Sequence, residues 1–100
     1  MHGEYKTPGG KLVVVDFEIR GGQLHQVEVS GDFFLYPEES LAAITGALEG
    51  LPAEIDEAAV ALALEEAMPS GTELLGTSPT GIAVAVRRGL ASAPERSSQP

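Results

Sequence analysis

The sequence predicts an α+β fold: a two-layer sandwich in which a three-stranded antiparallel sheet is followed by about three helices packed on one face. Residues 11–36 alternate between apolar and polar side chains and contain two glycine-marked turns, as antiparallel strands with one solvated face do. Residues 37–92 instead place apolar side chains at helical spacing. One hundred residues suit one domain with a single core. We expect that domain to span 1–92, with the small, polar segment 93–100 as a disordered tail.

The strands follow from period-two alternation and from turn residues. Lys11–Arg20 alternates between Val, Phe or Ile and charged side chains, and Gln23–Ser30 does so more loosely. Gly21–Gly22 lies between them, and two adjacent glycines favour a tight hairpin turn because both central positions require positive φ. Phe33–Tyr36 is the expected third strand. Met1–Gly10 is read as an irregular lead-in.

The first two helices are predicted from their start and stop signals. Pro37–Glu39 places a proline and two carboxylates at a helix N-terminus, where both are favourable. Gly50 is a typical residue just past a helix end. Asp56 is a predicted N-cap for a second helix over Glu57–Met68.

The C-terminal third is less determined. Glu73–Gly76 fits either a short extended piece or a turn. Ser78 and Pro79 are typical of an N-cap followed by the first helical residue, which predicts a third helix. Gly81 and Gly89 lower the helix propensity of that segment, so a late strand is the alternative.

The net charge of −9 lies entirely in one segment. Residues 36–76 contain nine carboxylates and no Lys or Arg, whereas six acids balance six bases elsewhere. An acidic surface repels phosphate backbones and anionic lipids, so nucleic acid and membrane are poor partners. It suits a basic protein partner or simply a solvated helical face. The nine are Glu38, Glu39, Glu49, Glu54, Asp56, Glu57, Glu65, Glu66 and Glu73.

The sequence offers no complete set of catalytic or metal-binding groups. There is no cysteine, which fits the expected cytoplasmic location, and no apolar run long enough to span a membrane. The two histidines, His2 in the expected lead-in and His25 on the second strand, suggest neither a metal site nor a Ser-His-Asp arrangement. Pro8–Lys11 differs from a phosphate-binding Walker loop because its lysine opens a strand and Leu12 replaces the hydroxyl residue.

Two short motifs stand out as candidate interface residues. Gly9 and Gly10 precede Lys11, a combination that lets a lysine reach a phosphate or carboxylate supplied by another chain. The second motif is the corner Gly31-Asp32-Phe33-Phe34, which we name the Gly31–Phe34 corner. Adjacent phenylalanines in a strand face opposite ways, so one fills the core while the other is exposed, which is a mild sign of an interface.

Together these motifs resemble the accessory domain of lipoate–protein ligases, which occurs as a C-terminal part of the ligase or as a separate small subunit. The resemblance rests on Lys6–Leu12, the Gly21–Gly22 turn, Val27–Phe34, Pro37–Glu39 and the Gly50–Pro52 joint. It covers about half the chain in a fairly specific order. After Ile55 the similarity is only one of element type.

The resemblance implies an accessory role in a two-step reaction. The family makes lipoyl-AMP from lipoate and ATP and transfers the lipoyl group to a lysine of an acceptor domain. The large domain binds both substrates and performs the chemistry, while the accessory domain assists activation and moves relative to it. This chain alone is therefore expected to be inactive and to bind no cofactor itself. Lipoate and ATP belong to the assembled ligase, and Met1 fits a separately encoded subunit or a segment of a longer ligase.

The site residues expected from this resemblance form a lid over the large subunit's active site. They are Gly9, Gly10, Lys11, Gly31, Asp32, Phe33 and Phe34. The partners are then a large catalytic subunit and, indirectly, a lipoyl acceptor domain. The alternative is a non-catalytic adaptor linked to iron–sulfur cluster assembly, where small α+β scaffolds of similar topology occur. A self-contained small enzyme is the third possibility, although nothing in the sequence places candidate groups together.

Overall fold

The computed structural model describes residues 1–91 and confirms the predicted α+β class: a three-stranded antiparallel sheet with three helices. The predicted tail, 93–100, lies outside these residues. The sheet has the order β1-β2-β3, and a separate two-stranded ribbon pairs β4 with β5. The elements are β1 His2–Lys6, β2 Leu12–Arg20, β3 Gln23–Gly31, β4 Phe34–Tyr36, α1 Ser40–Leu48, α2 Glu57–Ala67, β5 Glu73–Leu75 and α3 Pro79–Ala91.

The helices form one layer over the sheet. α3 packs across β1 and β2, α1 packs against β3, and α2 contacts both other helices. The buried apolar side chains of the two layers form one core. Its members are Val13, Val15, Phe17, Leu24, Val27, Val29, Ile44, Leu48, Val60, Ala61, Leu64, Ile82, Ala83, Ala85 and Val86.

The prediction that Met1–Gly10 is an irregular lead-in was wrong, because His2–Lys6 is an edge strand of the sheet. Gly3 explains why the pattern was not recognised. A Cβ at Gly3 would collide with the carbonyl oxygen of Ala85 and would lie 2.5 Å from the nitrogen of Gly89. The strand therefore carries a glycine where the backbone of α3 packs against it, instead of the apolar side chain that alternation would require.

The expected third strand also lies elsewhere. Phe34–Tyr36 does not extend the sheet but pairs with Glu73–Leu75, the segment left open between a short extended piece and a turn. After β3 the chain turns at Gly31, whose φ of 141° takes it away from the sheet. Leu35 and Leu74, opposite each other in this ribbon, pack against the core. The ribbon therefore forms because two short apolar segments, distant in sequence, share one inward face.

The third helix is confirmed despite its glycines. Gly81 and Gly89 are both buried inside α3. A Cβ at Gly81 would lie 3.0 Å from Thr7 Oγ1, and one at Gly89 would lie 2.8 Å from Phe17 Cε2. Close packing, against Thr77 and Thr7 at Gly81 and against Phe17 at Gly89, thus favours glycine at both positions and offsets a helix-propensity cost of about 1 kcal/mol each.

The hairpin and the two other helices follow their local signals. β2 and β3 join through Gly21 and Gly22, which both have positive φ as predicted. Asp56 caps α2 by accepting a hydrogen bond from Ala59 N at 2.8 Å. α1 begins at Ser40, just after the predicted start. Within residues 1–91, no helix is long and apolar enough to cross a membrane.

Candidate functional site

The two candidate motifs lie side by side at one end of the sheet. The Gly31–Phe34 corner follows β3, and its Asp32 nitrogen donates a hydrogen bond to the carbonyl oxygen of Leu12 at 3.0 Å. Leu12 directly follows Lys11, the residue expected to reach a partner. The structure thus brings together two segments that the sequence singled out separately.

A third segment, Gly76–Ser78, completes this end of the molecule and was not singled out as part of a site. The nitrogen of Lys11 donates to the carbonyl oxygen of Gly76 at 2.7 Å. Thr7 Oγ1 and Thr77 Oγ1 lie 3.0 Å apart, which allows a hydrogen bond between residues 70 positions apart in sequence. In the sequence, the run of turn and cap residues before α3 could have indicated this segment. In the structure, Ser78 Oγ accepts a hydrogen bond from Gly81 N at 3.1 Å.

A tight turn over residues 7–11 holds the backbone of Lys11. The nitrogen of Thr7 donates to the Lys11 carbonyl oxygen at 3.2 Å, and Gly10 N donates to Thr7 O at 2.7 Å. A Cβ at Gly10 would lie 2.5 Å from Gly76 O, so this position excludes a side chain. Gly9 has a positive φ of 69°, which favours glycine on backbone grounds.

The side chain of Lys11 lies over Gly76. A Cβ at Gly76 would lie 2.6 Å from Lys11 Cγ, so the glycine provides the space for the lysine stem. Lys11 is exposed, and among the described residues 1–91 no carboxylate forms an ion pair with it. An ammonium group on an anchored backbone is therefore available to an anion from outside the chain.

An apolar surface adjoins Lys11. As expected, the two phenylalanines differ: Phe33 packs against the core, whereas Phe34 is 69% exposed. Phe34 pairs with the exposed Leu75, and Tyr36 lies two residues along on the same face of the ribbon. We call the outward surface of Phe34, Tyr36 and Leu75 the ribbon face. Leu75 precedes Gly76, so the ribbon face begins next to the lysine.

His2 lies in a strand and not in the irregular lead-in that was expected. His2 lies in β1, where Nε2 is 2.6 Å from Glu4 Oε2 and Nδ1 is 2.6 Å from Asp16 Oδ1. The hydrogen bond with Glu4, followed by that with Asp16, raises the pKa of His2 above 6.5. His25 lies 4.0 Å from Glu49 Oε1. Neither histidine joins the Lys11 end, and within residues 1–91 no group of three or more His, Cys, Asp or Glu could hold a metal ion.

The arrangement is thus a small α+β domain with an anchored lysine beside an exposed apolar ribbon, a surface typical of a partner interface. No protein-family model and no curated protein sequence match the chain. Among solved structures, the fold is similar to a chain from an archaeal lipoylation system of Thermoplasma acidophilum, described as a bipartite lipoate protein ligase and its E2 lipoyl domain. The TM-score is 0.71 at 23% identity, over 87% of this chain and 93% of that chain.

Proposed function

We propose that this chain is an accessory component of a lipoylation system and assists a separate catalytic subunit of the lipoate–protein ligase type. The observation that carries the proposal is the nearly end-to-end fold similarity to a chain of the Thermoplasma system, with a TM-score of 0.71. The resemblance of residues 6–52 to the ligase accessory domain also supports it, because the same motifs occur in the same order in the sequence.

In this proposal the catalytic subunit binds lipoate and ATP and forms lipoyl-AMP, and this chain supplies no reacting group. Its contribution is to cover the site during activation. A lid excludes water from a reactive acyl-adenylate and strengthens the electrostatic interactions beneath it. An acceptor lipoyl domain receives the acyl group afterwards and meets this chain only indirectly.

The ribbon face is the proposed docking surface on the catalytic subunit. It exposes two aromatic rings and a leucine on a short ribbon supported by the core, and rigid aromatic side chains are common interface anchors. Docking there would place Lys11 at the edge of the contact. The lysine would then meet an anionic group of the partner or of its substrates, with the Gly31–Phe34 corner forming the adjoining wall.

Lys11 suits such a role because its backbone is fixed while its ammonium has no ion partner within residues 1–91. A fixed backbone reduces the conformational entropy lost when the side chain binds an anion. A hydrogen bond to a charged group contributes about 1.5–3 kcal/mol. One well-placed lysine can thus change the activation rate without performing the chemistry.

Association with a catalytic subunit tests the proposal, and the chain offers a matched pair of exposed leucines. Leu75 is 57% exposed on the ribbon face, and Leu62 is 54% exposed on α2. Titration calorimetry of each Leu→Asp variant into a lipoate-ligase large subunit from the same source compares the same change at two surfaces. We expect Leu75→Asp to weaken binding at least about tenfold, equivalent to about 1.4 kcal/mol, and Leu62→Asp to bind like the parent.

Circular dichroism shows whether both variants keep the parental fold. If folded Leu75→Asp and Leu62→Asp bind equally well, the ribbon face is not the docking surface. If the parent chain itself fails to associate with the large subunit, the accessory role is wrong.

A further inference from the structure

The outer edge of β3 is covered along only part of its length. β3 is the last strand of the sheet, and the segment 49–53 lies along its first half. Leu24 N donates to Leu51 O at 2.9 Å, and Gly50 N donates to Leu24 O at 2.7 Å. The carboxylate of Glu49 then accepts from Val27 N at 2.7 Å. Beyond Val27 this cover ends.

The second half of the edge presents unpaired backbone groups. In an antiparallel ladder, residues that bond to the neighbouring strand alternate with residues whose N–H and C=O point away. The hydrogen bond from Asp32 N to Leu12 O fixes the phase, so Ser30 bonds to β2 while Val29 and Gly31 point outward. Within residues 1–91 no other group is hydrogen-bonded to these outward atoms. Such an edge is a template for another strand.

An open groove runs along this free edge. One wall is the edge from Val27 to Gly31, and the other is the start of α1 with Leu41 and Thr45. At the end near β4 the groove is lined by Phe34, so apolar contacts accompany the backbone groups. An extended chain fits this shape because it can bond to the edge and place alternate side chains into the groove.

The negative charge of the groove favours a basic binding partner. Glu28, Glu38 and Glu39 line it, and residues 21–86 contain no Lys or Arg. A second copy of this chain would bring the same carboxylates together, and like charges in close approach are unfavourable. A segment with Lys or Arg at alternate positions would instead pair with them.

We infer that the free edge of β3 binds an extended, basic segment of a partner protein, which joins the sheet as a fourth strand. Its backbone bonds to the outward groups of Val29 and Gly31, and its basic side chains lie beside the groove carboxylates. This inference does not depend on the ligase assignment, because it follows from the edge and its charge.

Amide hydrogen exchange of the whole chain, followed by NMR, tests the inference with acetyl-Lys-Val-Lys-Thr-Lys-Val-amide as the probe. In the free protein we expect fast exchange at Val29 and Gly31 and slow exchange at Glu28 and Ser30. With millimolar peptide, the amides of Val29 and Gly31 become protected several-fold. The same peptide N-methylated at alternate residues cannot donate along one edge and is expected to protect neither.

Charge is tested separately by a matched pair of double variants. Replacing Glu38 and Glu39 by Gln is expected to weaken peptide binding several-fold, whereas replacing Glu65 and Glu66 on α2 by Gln leaves it unchanged. Peptide binding without protection of Val29 and Gly31, equal binding by the N-methylated peptide, or no binding would each overturn the inference. So would a concentration-dependent dimer that protects the same amides without peptide.

Discussion

The close packing of α3 on β1 predicts that replacing Gly3 by alanine destabilises the fold. The same replacement at Gly46, whose surroundings are open, is expected to stabilise it. Gly3→Ala adds a methyl group that collides with Ala85 O and lies 2.5 Å from Gly89 N. Both contacted atoms are helix backbone, so relief requires β1 or the whole helix to move. Gly46→Ala adds the same methyl inside α1, where nothing lies within 4 Å of it.

The expected magnitudes follow from those surroundings. Overpacking costs about 1–3 kcal/mol, and backbone contacts place Gly3→Ala near the upper end of that range. Gly46→Ala should stabilise by about 0.5–1 kcal/mol, because alanine loses less conformational freedom than glycine in a helix. For a domain of this size 1 kcal/mol shifts Tm by about 4–8 °C. The two variants should therefore differ by more than about 10 °C, with Gly3→Ala below the parent and Gly46→Ala above it.

Urea and thermal unfolding followed by circular dichroism measure both effects. A Gly3→Ala protein as stable as the parent would show that α3 does not approach β1 so closely. Destabilisation by Gly46→Ala would contradict the open surroundings assigned to that position.

Three further predictions concern charge and capping. In a reconstituted ligase, Lys11→Ala should lower lipoate-dependent ATP–pyrophosphate exchange at least about tenfold, the equivalent of one charged hydrogen bond. Lys6 is another exposed lysine, on β1, and Lys6→Ala should leave the exchange rate within about twofold of the parent's. Equal losses in the two variants would show that Lys11 has no specific role in activation. Asp56→Ala should lower the free energy of unfolding by about 1 kcal/mol in urea, and an unchanged midpoint would refute the cap. Because the pKa of His2 is raised in the folded state, protonated His2 stabilises the fold fully below pH 6.5, and this stabilisation is lost as pH rises through the folded-state pKa. The difference in free energy of unfolding between the parent and His2→Gln should therefore shrink as pH rises. A difference that does not change with pH would refute the carboxylate contacts.

Local signals predicted the parts of the fold whose partners are near in sequence. The hairpin turn at Gly21–Gly22 and the cap at Asp56 each depend on a few adjacent residues. α3 followed from Ser78 and Pro79, although its two glycines argued against it. The residues that determine each of these elements lie within or next to it, so the sequence alone is enough to predict the element.

The missed features depend on contacts between distant segments. β1 was missed because Gly3, which makes room for the backbone of α3, interrupts the apolar alternation expected of a strand. The β4–β5 ribbon joins residues on either side of two helices. In β3, Gln26 has a positive φ of 54° beside a register shift, and this bulge brings Leu24 inward with Val27. Such an insertion breaks the alternation from which faces are predicted.

The candidate site was predictable in part for the same reason. Gly-Gly-Lys and the Gly31–Phe34 corner are conspicuous in the sequence, and the structure places them together. Their shared neighbour Gly76 is far along the chain, and only the fold shows that it makes room for Lys11. The adjacent phenylalanines predicted that one of them would be exposed, but only the structure shows that it is Phe34 and that it pairs with Leu75.

Lipoate-dependent ATP–pyrophosphate exchange, measured as this chain is titrated into a lipoate-ligase large subunit from the same source, tests the central claim most directly. We expect little exchange by either chain alone and a rise that saturates when the two are equimolar. Exchange by the large subunit that is the same with and without this chain would contradict the accessory role.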